Sequence, residues 1–159
     1  MKYITAHFSA EEFACHNTET NTTTPYPSLW ERQLATLCET LETIRAEMNK
    51  REDRPVRLIV TSGYRTNEWN KLQGGAPRSY HVRGQAADIQ AYRLKQDGNW
   101  RLTKDWKRLS AKKLGGGVTD LMDNKKIIPG GIGYFETFIH VDTRTRRAFF
   151  GTQIPDRKK

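Results

Sequence analysis

Four histidines occur in this chain, His7, His16, His81 and His140. Two of them stand in company that could do chemistry. His81 lies in Ser79-Tyr80-His81-Val82-Arg83-Gly84-Gln85-Ala86-Ala87-Asp88, and His140 in Phe138-Ile139-His140-Val141-Asp142. A catalytic zinc site takes three protein ligands and leaves a position open. His81, Asp88 and His140 would supply two imidazoles and one carboxylate. Gly84 permits a reversal that folds His81 back toward Asp88. Ala86 and Ala87 leave room for close backbone packing. Asp88 is followed by apolar residues, and an uncompensated charge at the edge of a core is costly. A metal would remove that cost. Taken singly, each histidine has a blander reading, as an ordinary satisfied side chain.

The elements that must position these residues are legible in outline. Ser9-Ala10-Glu11-Glu12 fits a capping box ahead of Phe13, and Ser28 with Glu31 forms a second. Residues 16–27 are rich in Thr, Asn and Pro and read as a loop. Trp30, Leu34, Leu37, Leu41, Ile44 and Met48 recur at helical spacing, an apolar stripe along about six turns expected to face a core. Pro55 bars continuation of that helix. Val56–Thr61 reads as a strand, Thr66 or Asn67 caps a short helix, and Ala86–Tyr92 reads as a second strand. Asp97-Gly98 is a turn signal. Thr103–Met122 reads as helix in two pieces around Gly115-Gly116-Gly117, where a kink is as expected as continuity. Tyr134–Asp142 reads as a last buried strand, and Phe149-Phe150 as an added edge. The expected fold class is α+β: a small central antiparallel sheet with helices packed on one side and the zinc site at the sheet. One domain is expected over residues 1–159, with a basic tail, 152–159, that frays.

At 36% hydrophobic and 28% charged residues, with a mean hydropathy of −0.80, the chain is polar yet rich enough in aromatics to build a core. The balance of 27 Lys and Arg against 18 Asp and Glu leaves +9 and a pI near 9.7. That favours an anionic partner such as nucleic acid, a membrane surface or a bacterial wall polymer, or serves solubility alone. The basic residues are scattered and carry no reader motif, so no specific nucleic acid is expected. No stretch approaches the length of a membrane span. The N-terminus lacks the apolar run of a signal peptide. Cys15 and Cys38 are too far apart for a CxxC pair and read as buried or free thiols.

Several further segments complete a pattern. They are Ser62-Gly63-Tyr64-Arg65-Thr66, Gly74-Gly75-Ala76, the Ser-x-His-x-x-Gly-x-Ala-x-Asp run from Ser79 to Asp88, Gly130-Gly131-Ile132-Gly133-Tyr134, and His140-Val141-Asp142. With the opening His7–Phe13, these resemble, in order and spacing, the zinc D-alanyl-D-alanine carboxypeptidase and L-alanyl-D-glutamate endopeptidase family of bacterial cell-wall peptidases, which includes phage endolysins and shares a hedgehog-like fold. The resemblance implies that His81, Asp88 and His140 hold one zinc ion per chain. It implies that Arg65 orients a carboxylate of the peptide stem, as a guanidinium fork suits, and that Ser79 hydrogen-bonds substrate. Arg65 could instead form a structural salt bridge, and Ser79 could simply stabilise its loop. The implied partner is a peptidoglycan peptide and the implied state a monomer. The implied location is the cytoplasm of the producing cell with release to the wall, or a virion.

One departure stands out. Relatives place a carboxylate three residues before the last histidine ligand, or a histidine two before it, as the base. Here Thr137 and Phe138 hold those positions. Glu136 and Asp142 are the nearest carboxylates. On a straight strand both share a face with His140, Asp142 alternatively serving to orient the ligand. A non-catalytic, metal-holding wall-binding module of the same fold is the rival expectation.

Overall fold

In the computed structural model, residues 1–155 are described. The end of the tail expected to fray lies outside them. The chain begins with a 3₁₀ turn, Ala10–Phe13, in which the Glu12 carboxylate accepts hydrogen bonds from the backbone N–H and the hydroxyl of Ser9. A small hairpin follows, β1 (Cys15–Asn17) and β2 (Thr22–Thr24), inside the segment read as loop. Helix α1 (Glu31–Glu52) buries Leu34, Leu37, Leu41, Ile44 and Met48, the stripe expected from spacing. It stops at Asp53, whose left-handed φ of 51° turns the chain toward Pro55.

The remaining elements are β3 (Val56–Ser62), α2 (Asn67–Leu72), β4 (Ala86–Gln96), β5 (Leu102–Arg108), α3 (Ala111–Asp123), β6 (Gly131–Tyr134), β7 (Ile139–Asp142) and β8 (Ala148–Gly151). They form a six-stranded sheet in the order β3-β4-β7-β6-β8, with β5 on β4. The first half of β4 pairs with β7 and its second half with β5, so one long strand serves two neighbours. The sheet is antiparallel as expected, except that β8 runs parallel to β6. Helices α1 and α3 touch each other and pack against the sheet.

Alternation along the strands divides the sheet into two faces. Ala87, Ile89 and Ala91 of β4, Ile139 and Val141 of β7, and Ile132 and Tyr134 of β6 join the core under the helices. Asp88, His140, Asp142 and Gly133 therefore lie on the opposite face.

Three expectations are corrected. Residues 102–108 form a strand, not the start of a helix: the Asp97-Gly98 turn sends the chain back along the edge of β4 that β7 leaves open. Helix α3 runs unbroken through the glycine triplet, because Gly115 lies against the Tyr134 ring and Gly117 faces the Met48 sulfur, where a Cβ would come within 2.6 Å. The glycines thus let α3 pack closely on the sheet and on α1, which offsets their poor helix propensity. The segment 134–142 is not one strand but the β6–β7 hairpin, turned at Phe135–Phe138, where the Phe135 N–H donates to the Phe138 carbonyl at 3.1 Å.

Candidate metal centre

Asp88 on β4 and His140 on β7 are register partners, so the backbone holds their side chains next to one another. His81 comes from the loop before β4. Its backbone N–H donates to the Ser79 hydroxyl at 3.2 Å and its carbonyl accepts from the Arg65 N–H at 3.1 Å. The chain then reverses at Gly84, with φ of +69° as its glycine allows, and enters β4. All three side chains are buried, with 2%, 5% and 7% of the surface of His81, Asp88 and His140 exposed.

The partners behind the two rings fix what each presents to the site. His81 Nδ1 lies 2.7 Å from the Gly63 carbonyl, which can only accept, so that nitrogen carries the proton and Nε2 carries the lone pair. His140 Nε2 lies 2.7 Å from Asp142 Oδ2, so Nδ1 carries the lone pair. His81 Nε2, His140 Nδ1 and Asp88 Oδ1 converge with edges of 3.1, 3.1 and 3.3 Å. Bonds of about 2.0–2.2 Å to a tetrahedral zinc place neighbouring ligand atoms about 3.3–3.4 Å apart, so the triangle has the size of one face of such a tetrahedron. Three acceptors meet here with no donor of their own, an arrangement that calls for positive charge.

The same surroundings bias the proton affinities of the three groups. Burial acts to raise the Asp88 carboxyl, but the His140 and His81 imidazoles against it outweigh burial and hold the carboxyl well below the usual range. Burial acts to lower His140, yet Asp142 and Asp88 raise it above the ordinary histidine value. Burial pulls His81 below that value.

Asp142 is held from several sides. Beyond His140 Nε2, it accepts from the Gly131 N–H at 2.9 Å and from Arg144 through two parallel bonds of 2.8 and 2.7 Å. It thus stands at the far end of the His140 ring from the three converging atoms. Arg144 also lies over the Tyr80 ring at 4.3 Å, tying the strand that bears His140 to the loop that bears His81. The Phe150 ring packs edgewise on His140, with centroids 5.0 Å apart. Sequence reasoning missed Arg144, Tyr80 and Phe150. Only the spacing of Asp142 and Arg144, two apart beyond a ligand, hinted at one of them.

Arg65 stands at the wall beside Asp88. Its Nε, Nη1 and Nη2 reach Ser62, Asn70 and Asp88 Oδ2, each at 3.3 Å. These bonds are long and use three of five N–H groups. Ser79 lines the same cavity while its hydroxyl supports the His81 backbone. The structure therefore brings together His81, Asp88, His140, Arg65 and Ser79 around a cavity of about 610 Å³. It does not bring Glu136 there. The hairpin turn leaves Glu136 exposed, between Phe135 and Phe138, whose rings stack 4.8 Å apart at the cavity rim. The shared strand face expected for Glu136 and His140 does not exist, because the chain bends between them.

Cys15 and Cys38 are free and buried, as expected, and burial with nearby carboxylates pushes the Cys38 thiol up to about 12. No helix among the described residues is long and apolar enough to cross a membrane. No curated protein and no solved structure matches the chain. A family model described as Peptidase M15 matches residues 6–142, which takes in every residue of the site up to Asp142. With a buried His-Asp-His triangle of metal-binding size inside that match, the chain belongs to the peptidase M15 family of metallopeptidases.

Proposed function

We propose that the protein is a zinc-dependent peptidase that hydrolyses a peptide bond in the stem or crosslink of peptidoglycan, acting as a phage-type lysin delivered to the wall from the producing cell or on a virion. The observation that carries this is the convergence of two imidazole lone pairs and a carboxylate with no intervening donor. His81, Asp88 and His140 would hold one zinc ion. Bound there, zinc supplies Lewis acidity toward a carbonyl and toward water.

The rest falls to the chain's own groups. Arg65, with two N–H groups to spare, binds a substrate carboxylate. Ser79 keeps the His81 loop in place and offers its hydroxyl hydrogen to substrate. Asp142, clamped by Arg144, fixes the tautomer and aim of His140. Glu136, on the exposed turn between Phe135 and Phe138, stands outside the cavity, so the proton passes to a substrate group or along a water chain. Basic walls and a net charge of +9 suit an anionic wall.

The test is mass spectrometry of purified sacculi incubated with the protein, with and without chelator. Soluble peptide products should appear, vanish with chelator and return with zinc. Full release in strict chelator by a metal-free protein would end the proposal. A second reading, a metal-holding module that binds the wall without cutting it, draws on one observation: Asp88 is the only carboxylate among the described residues that line the cavity. Stoichiometric zinc and retention on sacculi without release of any fragment would establish that reading instead.

A further inference from the structure

The face of the sheet that bears the metal ligands continues beyond them. Along β4, Asp88 is followed on that face by Gln90, Tyr92 and Leu94. Register pairs Tyr92 with Arg57 of β3 and with Arg108 of β5, and Leu94 with Trp106 of β5. Helices α1 and α3 pack on the opposite face. Arg57 and Arg108 are exposed, and the Tyr92 and Trp106 rings are half-buried. The Arg57 guanidinium lies over both rings, 4.5 Å from the Trp106 centroid and 5.7 Å from the Tyr92 centroid. Neither arginine has a hydrogen-bond or ion-pair partner among the described residues.

Stacking on two rings holds the Arg57 guanidinium flat while its N–H groups stay without an acceptor. Rings beside spare donors suit an N-acetylated sugar. Its C–H face is apolar and lies on an aromatic ring, and its carbonyl and hydroxyl oxygens accept from N–H groups. No acidic side chain stands at these register positions, and residues 93–108 hold six Lys and Arg against two Asp. Such a face draws in a polymer hung with acidic peptides.

We infer that this face of β3, β4 and β5 docks the glycan strand of the wall, while the peptide attached to that strand enters the metal cavity. This rests on the zinc peptidase reading and adds a second contact to it. Two observations select the occupant. The Tyr92 hydroxyl donates to Gln90 Oε1 at 3.0 Å, and Gln90 Nε2 donates to the Thr137 carbonyl at 3.2 Å, so the rings are bonded to the turn that brings Phe138 to the cavity. Tyr92 also lies four residues from Asp88 on one strand, about 13 Å, the length of about four residues of extended peptide. A sugar held at Tyr92 keeps its own stem within reach of the metal ligands. Nucleic acid would satisfy the charge but has no peptide to place in the cavity.

The experiment measures binding of the full chain, by calorimetry, to three probes: glycan strands stripped of peptide, the neutral hexamer of N-acetylglucosamine, and duplex DNA. Both sugars should bind, and the neutral hexamer should bind alike at low and high salt. Arg57→Lys keeps the charge but loses the stacked plane, and should weaken sugar binding about tenfold or more. Trp106→Ala should do the same, with its melting temperature measured alongside. Both variants should keep their zinc and their rate on a free stem peptide, while KM for glycan-linked peptide rises about tenfold. Hydrolysis of free stem peptide with no sugar bound would overturn the inference and leave the peptidase. Sugar bound with no hydrolysis of any peptide would uphold the docking face and remove the peptidase reading. DNA bound more tightly than either sugar, or sugar binding unchanged in Arg57→Lys and Trp106→Ala, would overturn the inference.

Discussion

Strands β4 and β7 present two faces that are held together by different physics. Toward the helices, Ile89 and Ile139 are fully buried among Leu41, Ile44 and Val118, where what matters is volume. Toward the cavity, Asp88 and His140 are almost as buried, but what matters there is direction: which nitrogen bears a proton and which oxygen faces which ring. The alternation of the strand places the two regimes one residue apart. A substitution of similar size is therefore tolerated on one face and ruinous on the other.

The sharpest way to break this comparison is to mutate neighbours. Asp88→Ala should bring zinc content well below one per chain and activity to background, while calorimetry shows the protein losing the stabilisation that added zinc gives the native form. Ile89→Ala, one residue on, should cost about 2–5 kcal/mol of stability by cavity formation yet leave zinc stoichiometry intact below its melting temperature. If the two variants show the same profile, the faces are not independent.

Next come the two carboxylates near His140. Asp142→Asn should weaken zinc binding by about 10- to 100-fold, measured by competition with a chelator. Glu136→Gln should keep zinc and most of its kcat, because the side chain is exposed and outside the cavity. A loss of roughly 10²-fold or more in kcat with zinc retained would make Glu136 the base after all.

Arg65→Lys keeps the charge but loses the fork. A loss of about tenfold in kcat/KM, or roughly 1.4 kcal/mol, with unchanged zinc content and melting temperature, is expected. A falling melting temperature would favour the salt-bridge role.

The smallest effect separates two adjacent glycines in α3. Gly116→Ala meets open space and should stabilise by up to about 1 kcal/mol. Gly115→Ala drives a methyl group into the Tyr134 ring and should destabilise, by about 1–3 kcal/mol. Thermal melts of the pair check whether close approach, rather than helix propensity, decides that segment.

What the sequence disclosed follows the same division. The helix stripe and the inward residues of β4 were legible because burial leaves a periodic trace. The ligands were legible because His81, Gly84 and Asp88 lie within one short run whose spacing the fold needs. Glu136 was misplaced because Tyr134–Asp142 holds no Gly, Pro, Asn or Asp before its final residue. Nothing local announces a turn, and the bend comes from the pairing of Tyr134 with Ile139. Strand β5 was misread because its Lys- and Arg-rich run has no partner in sequence, only the free edge of β4. Arg144 was invisible for a similar reason: its role exists only where the chain folds it back on Asp142 and across Tyr80.

The ion pairs around the centre carry one more consequence. Asp88 is paired with Arg65, and Asp142 with Arg144. Two carboxylates balance two guanidinium groups, and the two histidines in their ligating form add no charge. The cluster's own side chains sum to zero, and a divalent ion would add a surplus of two positive charges in a buried setting. Such a site attracts anions whatever their identity. Each cut of a peptide bond creates a new carboxylate at that spot, so the acyl product is held there by the same field. Product inhibition that weakens with added salt is the expected result, since Arg78 in the cavity lining adds to the same field.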